Sequence, residues 1–289
     1  MALTTLANLK THLGIDVSDT SEDAALVQWL AAASSAIRTK LKGRWLGEVV
    51  SAISLANPTV IECVGHTVET GDSLTFAHSN STPTIDGART ATRINGSSFS
   101  VPVNVTTAGT SATFAKSFTE FYCGDGTPKL VLSQKPVLSI TSIYSDSAGY
   151  YGEPAGAFGT EKLLVAGTDY ALVRDNNAAP EKSLSGIVAR ITGVWPNASE
   201  KIRGLLSLGV TKGIGNLKVT YVAGYVNIPN DLQTACCNAV GILRRLAPNG
   251  ASMQSESLDY YSYSLASGAG AAEFGNVMDT LKSYKKWVW

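Results

Sequence analysis

Between Asn216 and Leu246 the chain reads NLKVTYVAGYVNIPNDLQTACCNAVGILRRL. Apolar residues recur at a period of two before the proline and at a helical period of about 3.6 after it. A half-buried strand must therefore hand over to a helix within a few residues, which restricts the fold more than any other stretch. Leu217, Val219 and Tyr221 point one way and Lys218 and Thr220 the other, as alternation on a pleated strand requires. Gly224 interrupts the pattern, and Ile228 precedes a proline, which biases it to an extended conformation. Pro229, Asn230 and Asp231 suit a first helical turn, whose N–H groups lack intrahelical partners. Leu232, Cys236, Ala239, Leu243 and Leu246 then recur at spacings of four, three, four and three and share one face. Arg244 and Arg245 sit where the helix dipole favours cations, and Pro248 and Gly250 end the helix.

The N-terminal region is also helical by pattern. A short helix spans about Leu6 to Leu13 and stops at Gly14; a longer one runs from about Thr20 to Lys42. Thr20 with Asp23 predicts a capping box in which Asp replaces Glu. Leu26, Leu30, Ala33, Ile37 and Leu41 build one apolar face, and Gly43 closes the helix. From about Val49 to Ala115 the composition shifts to Ser, Thr, Val, Gly and Asn, with short alternating runs PTVIECV, DSLTFA and SSFSVPV between turn signals. This predicts a small all-β module. Further strand signals follow in KLVLS, PVLSITSIY, KLLVAGTDYALV and GIVARI, and a last amphipathic segment uses Phe274, Val277, Met278, Leu281 and Tyr284.

With 289 residues, 44% of them hydrophobic and 16% charged, the chain can bury a large core in one or two domains. A formal net charge of zero argues against a protein whose main task is gripping a phosphate backbone, since that affinity comes from clustered Lys and Arg. No apolar run approaches the roughly 20 residues that span a bilayer, and the N-terminus lacks a signal-peptide pattern, so no membrane partner and a cytoplasmic origin are expected. Cys63, Cys123, Cys236 and Cys237 form no CxxC pair and read as structural thiols, with Cys236 on the apolar stripe.

No catalytic constellation emerges. His12, His66 and His78 lack metal-ligand spacing, and the latter two fall beside turn residues, where solvated polar positions are expected. Gly204 to Gly209 has phosphate-loop glycine spacing but Val210 stands where lysine is needed; Gly213-Ile-Gly215 precedes a strand and reads as a hairpin turn. No enzyme activity, cofactor or metal is expected.

The wording around YVAGYVNIPNDLQTA resembles the head-tail connector (adaptor) proteins of tailed bacteriophages. LTTLANLKTHLGID, SEDAALVQWLAAASSAIRTKLKGRW, TEFYCGDGTPKLVLSQKPVLSITSIY and SESLDYYSYSL occur in the order that family uses. NPTVIECVGHTVETGDSLTF, DGARTATRINGSSFSVPV and TTAGTSATF are similar to a β-barrel-like module inserted in phage structural proteins. The resemblance implies an α+β fold: a discontinuous helical connector core with antiparallel strands at 1–48 and 116–289, and an inserted all-β barrel-like domain at 49–115. It implies a structural virion protein forming a ring, typically of twelve subunits, beneath the portal. Such a ring extends the DNA channel and docks stopper, head-completion or tail proteins. The expected partners are the portal protein, the stopper or tail protein, further copies of the chain, and packaged DNA passing through the lumen without sequence-specific binding. The location implied is the virion neck at the portal vertex, reached from host cytoplasm during assembly. A β-rich surface protein binding glycans or receptors is the alternative, and it requires export.

Aromatic anchors ringed by charge mark interfaces. In the tail KSYKKWVW, Tyr284, Lys285, Lys286, Trp287 and Trp289 are thus candidate portal-binding residues, in the C-terminal part with which related connectors clamp the portal; the alternative is that the tryptophans fold back on the subunit's own helices. Tyr150, Tyr151 and Phe158 in one Gly-rich loop, and Tyr260, Tyr261 and Tyr263 in another, are candidate tail- or neighbour-facing contacts, unless the loops pack on their own aromatics. Arg244 and Arg245 could face DNA in a lumen, but the helix dipole accounts for both.

Overall fold

The computed structural model describes residues 2–41, 45–146, 158–176, 181–196, 215–246 and 269–285. The chain is α+β, with antiparallel sheets, and divides into two compact units. The first comprises residues 1–72, 76–114 and 227–289; the second comprises 73–75 and 115–226.

The first unit opens with α1 (Leu6–Leu13), bounded where its sequence places it. Thr5 caps it by accepting from the Asn8 N–H, and Gly14 ends it at φ +70, where a side chain would be strained. Helix α2 (Asp23–Lys40) buries Leu26, Leu30, Ala33 and Ile37 as the apolar spacing requires, and Leu41 beyond its end is also buried. Its start differs from the capping-box expectation. It begins at Asp23, with Glu22 at the cap and no side-chain cap hydrogen bond, and Thr20 supplies only its backbone carbonyl. Competing local bonds explain the difference. Asp16 and Asp19 accept from the N–H groups of Ser18 and Ser21, while buried Lys10 donates to the carbonyls of Val17 and Asp19 and pairs with Asp23 at 2.5 Å. Residues 16–21 are thereby committed to turns.

Helix α3 (Asn230–Leu246) packs against α1, α2 and α4 (Ala269–Thr280), which is followed by the short α5 (Lys282–Lys285). Contact on several sides widens its buried surface beyond the single stripe. Ala235, Cys237, Val240 and Ile242 join Leu232, Cys236 and Ala239 in the core, whereas Leu243 and Leu246 are only half-buried. Each fully buried aliphatic side chain contributes about 1.5–3 kcal/mol relative to exposure. The expected stop signals at Gly43, Pro248 and Gly250 lie outside the described residues.

The β part of this unit begins with β1 (Glu48–Val50), which pairs with the first residues of β8 (Ala112–Tyr122). A four-stranded sheet has the order β2 (Ala52–Ile53), β3 (Thr59–Glu62), β7 (Ser98–Val101), β6 (Thr92–Arg93). Strands β4 (Ser73–Ala77) and β5 (Gly87–Thr90) are hydrogen-bonded neighbours. Phe76, Phe99 and Phe114 fill the centre, with ring centroids 5.3–6.3 Å apart. His66 is a correction to the solvated-histidine expectation: it is 4% exposed, its ring sits edge-on to Phe99, and Nδ1 accepts from the Val68 N–H. The turn that carries it folds inward onto the aromatic core.

In the second unit β13 (Leu217–Ala223) lies between β10 (Val137–Ser145) and the rest of β8. Its burial alternates strictly, with Leu217, Val219, Tyr221 and Ala223 inside. A three-stranded sheet has the order β11 (Tyr170–Leu172), β12 (Ile187–Arg190), β9 (Lys129–Val131). It adds Leu130, Tyr170 and Val188 to the same core, which Trp195 completes.

Candidate functional site

The C-terminal helices bring the first of the sequence-derived interface residues into view. Tyr284 on α5 is half-buried, and its hydroxyl donates to Asp231 Oδ1 at 2.6 Å on the first turn of α3. Its phenol is therefore engaged within the subunit. Lys285 closes α5. Lys286, Trp287 and Trp289 lie outside the described residues.

At the opposite end of α3 both arginines have carboxylate partners. Arg244 grips Glu22 with two hydrogen bonds, at 2.8 and 3.0 Å, and Arg245 pairs with Glu273. The Glu22 carboxylate raises the Arg244 pKa further. The pairs add to the dipole explanation and give both cations a role within the subunit.

Between α1, α3 and α4 lies an open groove of about 530 Å³, lined by residues that include His12, Leu13, Asn238, Ile242, Glu273 and Val277. His12 Nε2 and Asn238 Oδ1 are 2.8 Å apart across it. Gly241 permits this close approach of α1, since a Cβ there would meet Leu13 at 3.3 Å. The groove has a mixed polar and apolar wall.

Three of the four thiols behave as core atoms. Burial pushes the Cys236 thiol up to about 12 and raises Cys63 and Cys237 as well. Cys236 meets the Ser34 hydroxyl at 3.3 Å, and only Cys123 of the four is exposed. Thiolate chemistry needs the opposite shift. Among the described residues no group of three or more His, Cys, Asp or Glu side chains is arranged to hold a metal ion.

One polar network was not anticipated from sequence. The hydroxyls of Tyr122 and Tyr221 both donate to Glu120, Tyr221 at 2.5 Å, and accept in turn from the backbone N–H groups of Ser133 and Gln134. Burial, then the Glu120 hydrogen bond, pushes Tyr122 up to about 12, and burial raises Tyr221 strongly. The network ties the β9–β10 turn to the sheet. Its signal was present: Glu120 and Tyr122 share one face of β8, opposite Val219 and Leu217 of β13.

Of the loop aromatics, Phe158 is 8% exposed and its ring lies 5.8 Å from that of Phe121, so this residue packs internally. Tyr150, Tyr151, Tyr260, Tyr261 and Tyr263 lie outside the described residues, as do 213 and 214 of the expected hairpin turn. No helix among the described residues is long and apolar enough to cross a membrane.

Residues 3–95, which hold α1, α2 and strands β1 to β6, match the family model described as Phage gp6-like head-tail connector protein. No curated protein matches the chain. The similarity to that family extends over residues 3–95, about a third of the chain.

Proposed function

We propose that this chain, similar over residues 3–95 to phage gp6-like head-tail connectors, is the subunit of a connector ring beneath the portal. The family match carries the reading. Subunits associate head to tail, typically as twelve, because heterologous contacts that close by rotation generate rings. The ring continues the DNA channel from the portal and offers its other face to a stopper or tail protein. DNA passes through without sequence-specific binding, in keeping with a net charge of zero. The segment 49–115 is an insertion into a host domain formed by 1–48 and 116–289.

The C-terminal residues Lys285, Lys286, Trp287 and Trp289, following Tyr284, dock on the portal. Tyr150, Tyr151, Tyr260, Tyr261 and Tyr263 face neighbours or the tail, whereas Phe158 packs on Phe121. What supports the tail assignment is the concentration of aromatic and cationic side chains in five residues, the composition of interface anchors.

The test mixes the purified chain with portal and examines the product by size-exclusion chromatography and negative-stain microscopy. Rings on portals are expected. A persistent monomer that ignores the portal overturns the reading. Deleting residues 285–289 is expected to abolish attachment while monomer folding is retained; normal attachment by the truncated chain removes the tail from the proposal.

A further inference from the structure

The β strands from Glu48 to Phe114 and the helices fall in the same compact unit, and a continuous chain of side chains joins them. His66 lies 5.1 Å from Phe99, Phe99 lies 5.7 Å from Phe114, and Phe114 lies 6.1 Å from Trp45. The Arg38 guanidinium then sits 5.2 Å over the Trp45 ring. Arg38, on the last turns of α2, is 6% exposed, and Glu48 at the start of β1 is fully buried. Arg38 Nη2 donates to the Gly47 carbonyl at 2.8 Å and Nη1 faces Glu48 Oε1 at 3.4 Å. The second Glu48 oxygen accepts from the Cys63 thiol of the residue after β3 at 3.3 Å. The Val49 N–H donates to the Ala2 carbonyl, so the residue preceding α1's cap segment also fastens β1.

We propose that Arg38 and Glu48 are positioning residues that lock the β module and helix α2 into one rigid body, so that the module is a fixed part of the subunit and not a swinging appendage. Four features carry this. The pair links α2 to β1, the strand with which the β part of this unit begins. Both members are withdrawn from water, and a buried charge needs its partner and its remaining hydrogen bonds satisfied in one geometry. Arg38 supplies a planar fork and a stacking face at once, which lysine does not. The packing on either side is aromatic and contiguous, and packed cores transmit displacement instead of absorbing it. In a ring of subunits, a reading taken from the proposed function, each module would then hold the same angle to its neighbour.

The test measures one distance. Spin labels at Gln28→Cys on α2 and Thr92→Cys on β6, both exposed positions, are placed in a Cys123→Ser background of the full chain. Pulsed dipolar spectroscopy is expected to give a single narrow distance distribution. The apolar pair Arg38→Met with Glu48→Leu, which removes both charges without leaving one unpaired, is expected to broaden that distribution at least twofold while the circular dichroism spectrum is unchanged. Arg38→Lys is expected to fall between the two. A broad or multimodal distribution in the parent chain overturns the proposal, and so does an unchanged narrow distribution in the double variant. Neither outcome depends on ring formation, which the portal experiment tests separately.

Discussion

The Tyr284 hydroxyl donates to Asp231 Oδ1 at 2.6 Å, so the last described helix is pinned to the first turn of α3. Asp231 is placed where the helix dipole already favours a carboxylate. Replacing Tyr284 by Phe removes the bond and keeps the ring. We expect a loss of at most about 1 kcal/mol, since the bond is partly solvated, read as a small fall in thermal midpoint. Portal attachment should survive Tyr284→Phe if the tail beyond it makes the contact, and a pull-down with portal checks this.

For the buried pair, single substitutions should be worse than the double. Arg38→Met or Glu48→Leu alone leaves a buried charge without its partner and should cost about 3–5 kcal/mol. The double variant should recover much of that loss, because no charge is then stranded. Urea denaturation of the four chains gives the cycle, and additive losses would contradict the pairing.

Alkaline stability should follow the two tyrosines. Tyr122 loses its proton at about 12 in the folded chain, against about 10 in the unfolded chain, and Tyr221 is raised as well. Between those values the folded state holds more protons than the unfolded state, so stability falls as pH rises. It is fully present below pH ~10 and is lost progressively through the folded value. Denaturant midpoints from pH 8 to 11.5 should decline above pH 10, and Tyr122→Phe should flatten the decline.

Thiol reactivity should separate one cysteine from three. Cys123 is exposed, whereas Cys63, Cys236 and Cys237 are buried with raised pKa values. A chromogenic disulfide reagent at neutral pH should titrate one thiol rapidly in the native chain and four after denaturation. Fast reaction of a second native thiol would contradict the burial of Cys63 after β3 or of Cys236 and Cys237 on α3.

Glycine at position 124 should be intolerant of any side chain. A Cβ there would lie 2.0 Å from the Pro196 carbonyl oxygen, while Asn216 fastens both segments, accepting from the Gly124 N–H and donating to Pro196. Gly124→Ala should cost about 1–3 kcal/mol or more, as overpacking against backbone does. Gly14→Ala, with open space around it and φ +70, should cost only about 1–2 kcal/mol. Parallel thermal melts rank the two.

Local order was legible in the residues themselves. The alternation of Leu217 to Ala223, the bounds of α1 with its stop at Gly14, and the apolar face of α2 appear where the spacing puts them. Each depends on neighbours a few positions apart, so backbone geometry and side-chain period suffice. The family resemblance read from ordered stretches is supported by the match over residues 3–95. What sequence left open depends on contacts between distant segments. That Lys10 would hold the turn before α2, that His66 would fold into the core, that Cys237 would be covered and that Arg38 would meet Glu48 all follow from which surfaces came together. Arg38 had a faint signal, four positions after Ser34 and eight after Leu30 on one helical face, but periodicity names no partner. Phe158 shows the same limit: an aromatic in a Gly-rich loop suits an interface or internal packing, and its contact with Phe121 is a property of the tertiary structure. Periodicity is a property of the chain, whereas burial of a charge or a ring is a property of the packed whole.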